Sequence, residues 1–206
     1  MPCSVLCVSH TTGSGGDEVG KLVAERLGYL YLDEDIVAVA AAEGGLEPGD
    51  IASEERRRSL ASRILDTFAQ GGGDAWALAA AHGMEIVQPA DIRALIRETI
   101  VQTAARGNVV IVAHAASYAL DPGPGMLRVF VTASPRTRAQ RFAATEGIEQ
   151  AKAARAIKDS DAGRSDYLKR FYSVASESPT DYDVVVNTDH LSAEQAAEIV
   201  VRAAER

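Results

Sequence analysis

The chain has 206 residues, 47% of them hydrophobic, with 29 acidic against 21 basic side chains and a net charge of −8. That is apolar material for one sizeable core. An acidic balance without a long basic run excludes nucleic acid or an anionic membrane as the main partner. The two cysteines, Cys3 and Cys7, alternate with apolar residues, the pattern of buried thiols in a reducing cytoplasm rather than of a disulfide or a metal pair. The N-terminus lacks a basic region and no apolar run approaches about 20 residues, so neither a leader nor a membrane span is expected.

In chain order, Ser4 to Ser9 reads as a short strand covered on both faces. Gly13, Gly15 and Gly16 make a turn, and Val19, Leu22, Val23 and Leu27 repeat at helical spacing before the stop at Gly28. Residues 29–33 are a short extended piece whose last residue, Asp33, is placed to cap a helix over 34–43. Residues 53–70 read as helical, with Arg56, Arg57 and Arg58 on a solvated face, 71–74 as a break and 75–87 as ambiguous. Pro89 and Asp91 open a helix that ends at Gly107. Residues 108–113 form a buried strand, 121–125 (DPGPG) a loop and 127–132 a further strand. Ser134 and Pro135 start a helix ending near Gly147. One or two charged helices occupy 149–172, a last strand 183–187, and Ser192 with Glu194 and Gln195 begins the final helix. Buried strands separated by helices imply a parallel α/β sheet. The stretch 44–90 reads as an insertion over it.

A strand, a glycine turn and then a helix is the construction of a phosphate-binding loop, because the N–H groups at the helix start are unpaired and attract an anion. The general pattern is G-x-x-x-x-G-K-[ST]. With Gly15 on its second glycine, the first falls on His10, the lysine on Gly16 and the Mg²⁺-binding hydroxyl on Asp17. The residues alone therefore fit both a phosphate cradle without its lysine and a plain connecting turn.

Longer motifs favour the cradle. LRVFVTASPRTRAQR at 127–141 resembles the strand, T-A-S and arginine-bearing helix of cytidylate kinases, and GSGGDEVGKLVAERLGYLYLD at 13–33 is similar to their phosphate loop, first helix and Y-L-D. The cytidylate kinase-like branch is the nearer likeness. Its G-S-G-G carries no lysine, its D-x-x-R before a tyrosine matches Asp161, Arg164 and Tyr167, and its Y-D-x-x-x-N-T ending matches Tyr182, Asp183, Asn187 and Thr188. The likeness spans the chain except about 45–88.

This resemblance implies a single P-loop kinase-like domain: a three-layer parallel sheet with helices on both faces, a helical insertion at 44–90 on the acceptor side and a lid-like segment at 149–172. It implies transfer of the ATP γ-phosphate, with Mg²⁺, to a nucleoside monophosphate or a similar small phosphorylated acceptor. Backbone N–H groups over Gly13, Ser14, Gly15, Gly16, Asp17 and Glu18 would hold the nucleotide. Arg138, Arg141 and Arg164 would close over the γ-phosphate, with Asp161 orienting Arg164. His10, Asp33 and His114 would lie on the substrate side. No metal beyond that carried with ATP is implied, and Trp76 with its alanine-rich surroundings is a candidate dimer surface.

The departures bear on activity. The branch has arginines where this chain has His10, Asp17 and His114. An acid at a phosphate-binding helix start repels the ligand unless Mg²⁺ bridges them, and histidine cannot form arginine's bidentate fork. Losing such a contact costs about 10³- to 10⁵-fold in rate. The alternative to a kinase is thus a catalytically inactive nucleotide- or anion-binding regulatory domain on the same fold.

Overall fold

The structure, a computed structural model, describes residues 2–33, 89–113 and 116–205. The helices expected at 34–43 and 53–70, the insertion up to residue 88, Arg56 to Arg58, Trp76 and His114 lie outside the described residues. The chain divides into two compact units, Met1–Tyr31 with Arg106–Arg206, and Leu32–Ala105.

The described strands form one sheet. They are β1 (Val5–His10), β2 (Leu30–Asp33), β3 (Val109–Val112), β4 (Met126–Thr132) and β5 (Val184–Asn187), in the order β2-β3-β1-β4-β5. β1 runs parallel to β3 and β4, and β4 parallel to β5. Every residue of β1 from Leu6 to His10 is buried, as in a central strand covered on both faces. β4 alternates, with Leu127, Val129 and Val131 buried between half-buried neighbours.

Helix α1 (Gly16–Leu27) follows β1, and its buried Val19, Val23 and Ala24 form one stripe. It ends at Gly28, in the left-handed region at φ 66, whose N–H caps the carbonyls of Ala24 and Glu25. Helix α2 (Pro89–Arg106) lies almost wholly in the second unit, where Ile100 and Thr103 are buried. A short helix α3 (Ala116–Ala119) was not foreseen from sequence. α4 (Pro135–Glu146) starts at Ser134, whose side chain accepts the Thr137 N–H, and stops at Gly147. Residues 149–172 carry one helix rather than two: α5 (Gln150–Tyr172) packs on α4 and buries Ala153, Ile157, Arg164 and Leu168. A 3₁₀ turn at Pro179–Asp181, also unforeseen, is closed by a capping box between Ser178 and Asp181. α6 (Ala193–Ala204) opens on the capping box of Ser192 and Gln195.

The main core lies on one face of the sheet. Leu6 and Val8 of β1 stand in register with Val110 and Val112 of β3 and with Leu127 and Val129 of β4. α1 and α6 cover this row with Val19, Val23, Ala196, Ala197, Val200 and Val201. At about 25 cal/mol per Å² this burial is the main stabilisation of the first unit. The connections after β1 and β4 lead toward opposite edges of the strand order, so the loops at their carboxyl ends flank a switch point, where open α/β sheets bind ligands. No helix among the described residues is long and apolar enough to cross a membrane.

Candidate functional site

Residues 11–15 join β1 to α1 and are tied to the end of β4. The Thr11 N–H donates to the Val131 carbonyl (3.2 Å), as does the Ser14 hydroxyl (3.1 Å), while the Ser14 N–H donates to the Thr11 carbonyl (3.0 Å). Gly13 and Gly15 take φ of 79 and 81, a conformation that favours glycine. The two differ in packing. A Cβ on Gly13 would lie 2.7 Å from the Arg138 carbonyl oxygen, whereas one on Gly15 would meet nothing within 4 Å. The space beside Gly15 is open, and the N–H groups of the first turn of α1, which have no carbonyl inside the helix, begin there.

Gly16 stands where the general pattern has lysine. A Cβ at this position would run into Cβ and Cγ of His10. His10 packs under the helix start and its Nε2 reaches Oδ1 of Asp17 at 3.2 Å. His10 is nearly buried and the Asp17 carboxylate is largely exposed. The ring that displaces any side chain from position 16 is therefore also the partner of the acid beside it.

The arginines converge on the same loop. Arg138, buried, donates to the carbonyls of Ala133 (3.1 Å) and Thr12 (3.3 Å) and forks onto Asp161 (2.9 and 2.6 Å). Arg141 donates to the Ser14 carbonyl (3.3 Å), the Thr188 hydroxyl (2.9 Å) and the Thr188 carbonyl (2.6 Å). Arg164, also buried, forks onto Glu177 (3.0 and 2.6 Å), donates to the His10 carbonyl (3.3 Å) and lies over the Phe130 ring. Asp161 thus orients Arg138 and not Arg164, a correction to the local pairing expected from sequence. Its cause is the helix face: Arg164 points inward to Glu177 and β1, while Asp161 meets the incoming α4.

Glu177 was missed from sequence, because nothing near it marks it. Burial alone would lower the charge preference of Arg164, and the Glu177 carboxylate more than offsets this, holding the guanidinium above its ordinary value. Tyr182 donates its hydroxyl to the same carboxylate. Burial first, and then that carboxylate, push the phenol up. Tyr182 stacks on Phe130 at 4.9 Å. Thr12 and Ser160 share a hydroxyl contact of 2.7 Å, which adds a further tie between the loop and α5. A cleft of about 150 Å³ opens beside it, lined by Thr11, Asp161, Arg164, Ser165, Ser176 and Glu177 among others.

The structure therefore gathers His10, residues 13–18, Arg138, Arg141, Asp161 and Arg164 around one loop. Asp33 ends β2 half-buried and belongs to the second unit. His114 lies outside the described residues. Thr188 stood in a motif at the end of the last strand, but its contact with the loop was not foreseen.

The chain as a whole has relatives. A cytidylate kinase of Archaeoglobus fulgidus is 23% identical over 205 residues, covering 97% of this chain and 94% of that protein. One of Ignicoccus hospitalis is 26% identical over 199 residues, covering 97% and 98%. Among solved structures, an uncharacterised protein from Eubacterium ventriosum superposes with a TM-score of 0.69 at 17% identity, covering 97% of this chain and 96% of its own. A shikimate kinase from Acinetobacter baumannii does so with a TM-score of 0.54 at 13% identity, covering 98% and 92%. These likenesses show an α/β P-loop kinase fold. The sequence pattern of the cytidylate kinase-like family matches residues 5–190, and the chain belongs to that family.

Proposed function

We propose that this protein is a nucleotide kinase-like phosphotransferase that moves the γ-phosphate of ATP to a nucleoside monophosphate or a similar small phosphorylated acceptor. The observation that carries this reading is the glycine loop at the head of α1. Of the two left-handed glycines there, Gly15 leaves open space against the first-turn N–H groups, and arginines from α4 and α5 surround the loop. Phosphoryl transfer needs little covalent chemistry from the protein; it needs positioning and neutralised charge. The loop N–H groups hold the donor phosphates. Arg138 and Arg164 reach a γ-phosphate by exchanging the carboxylates of Asp161 and Glu177 for it, which requires α5 to shift as a lid does.

Mg²⁺ fits the residues present. Asp17 offers an exposed carboxylate at the first turn of α1, where the general loop has its metal-binding hydroxyl, and Mg²⁺ takes one or two carboxylates together with phosphate oxygens. Held there, the ion would neutralise charge on the donor phosphates. ATP and Mg²⁺ as co-substrates, together with two free thiols, fit a reducing cytoplasm.

A second reading, a nucleotide- or anion-binding domain without turnover, is favoured by one observation: the two buried arginines already have carboxylate partners inside the chain. ³¹P NMR of concentrated protein with Mg²⁺-ATP and a mixture of nucleoside monophosphates separates the two. ADP together with a new diphosphate is the expected result and names the acceptor. Shifted or broadened ATP signals without turnover establish the second reading, and unchanged sharp signals overturn both.

A further inference from the structure

Three arginines hold alternate carbonyls from the last residue of β1 into the loop: Arg164 holds that of His10, Arg138 that of Thr12 and Arg141 that of Ser14. The Ser14 carbonyl is the most heavily engaged. It also accepts the Thr188 hydroxyl at 2.7 Å, and Arg141 grips Thr188 through both its hydroxyl and its carbonyl. Thr188 is buried and lies just past β5, which carries it to this point from the far edge of the sheet.

In a planar trans peptide the carbonyl of one residue and the N–H of the next point in opposite directions. Holding the Ser14 oxygen against Thr188 and Arg141 therefore turns the Gly15 N–H to the other side of the loop. Gly15 accepts positive and negative φ alike, so sterics do not fix this peptide plane and hydrogen bonds have to. The would-be Cβ of Gly15 faces open space. A loop without a lysine depends on its amides for anion binding, so the direction of this amide matters more than in a loop that has one.

We propose that Thr188 and Arg141 are positioning residues of the phosphate loop: they hold the Ser14 carbonyl outward so that the Gly15 N–H faces the bound phosphate. Arg141 acts on the loop backbone, not on the group transferred. The inference rests on the phosphotransfer reading for the identity of the anion, but the orientation of the amide is a property of the protein alone.

The two roles for Arg141 separate on comparing ADP with ATP. A cation over the γ-phosphate affects ATP only, whereas an amide aimed at the β-phosphate affects both. Thr188→Val removes the hydroxyl and leaves Arg141 in place. The expected result is an equal loss of affinity for Mg²⁺-ADP and Mg²⁺-ATP by titration calorimetry, on the order of tenfold, as for one misdirected hydrogen bond. Thr188→Ser restores both, and the Gly15 amide-to-α-proton NMR couplings of the nucleotide-free protein, which report its φ, change in Thr188→Val and not in Thr188→Ser. Arg141→Lys keeps the charge but not the fork and is expected to show the same equal loss, which serves if Thr188→Val does not fold. A loss confined to ATP, or unchanged Gly15 couplings in a folded Thr188→Val, overturns the proposal. If wild type binds neither nucleotide, the phosphotransfer reading falls, while the coupling result still decides the positioning role.

Discussion

His10 Nε2 and Asp17 Oδ1 lie 3.2 Å apart, so two residues that stand where the family's branch has arginines are each other's partners. The same imidazole fills the space over Gly16. An absent lysine and two absent arginines are thus one packed arrangement: the ring that excludes a side chain at position 16 also holds the acid at position 17.

An acid at the positive end of a helix stabilises the helix and repels an anionic ligand by the same field. Asp17→Asn is expected to tighten ADP binding in EDTA by about two- to fivefold, the equivalent of roughly 0.3–1 kcal/mol. With Mg²⁺ present the gain disappears, because the ion needs the carboxylate. Titrations with and without Mg²⁺ check this, and equal effects in both would show that Asp17 does not meet the metal.

The two left-handed glycines are predicted to differ. Gly15→Ala meets only backbone strain, about 1–2 kcal/mol. Gly13→Ala meets that strain and the Arg138 carbonyl oxygen at 2.7 Å, adding about 1–3 kcal/mol of overpacking. Urea unfolding of the two variants should place Gly13→Ala clearly lower, and equal midpoints would contradict the packing of the loop on α4.

Glu177 carries the neutralisation of a buried charge. Its removal leaves the Arg164 guanidinium, with a side chain 6% exposed, facing the Phe130 ring and the His10 carbonyl without a counter-charge. Glu177→Ala is expected to cost about 3 kcal/mol in urea unfolding. The double variant with Arg164→Met should lose less than Glu177→Ala alone. A larger loss in the double variant would mean that Arg164 is stabilised by other groups.

Acid stability has an identifiable contributor at the edge of the sheet. The Arg128 side chain forks onto Asp183 at 3.2 and 2.9 Å, and this bond, followed by the Arg128 backbone N–H, holds the carboxyl below its ordinary value. A carboxyl lowered on folding stabilises the native state fully above the unfolded value of about 3.9, and the contribution disappears as pH falls through the lower folded value. Unfolding between pH 5 and 2 should show stability falling from about pH 4 downward, with a shallower fall in Arg128→Met. Parallel curves would assign the acid limb to other carboxylates.

Much of this protein was determined within short spans of chain. The apolar runs of β1 and β4, the stripe of α1, the caps at Ser134 and Ser192 and the stops at Gly28 and Gly147 depend on neighbours a few residues away, so they are readable without a structure. Together with four spaced motifs they led to the P-loop kinase-like sheet and to the loop that heads α1. Partnership was not readable in this way. Asp161 and Arg164, three residues apart, suggested a pair, yet the twist of α5 sends one to Arg138 and the other to Glu177. Gly16 was expected from the lysine-free G-S-G-G, but that His10 fills the space over it shows only in the packing of β1 under α1. Thr188 reaches Ser14 only because β5 lies beside β4 in a parallel sheet. Local propensity sets where elements begin and end, but the direction of each buried charge is set by the one arrangement of elements that leaves it a partner, and that arrangement exists only in the folded chain.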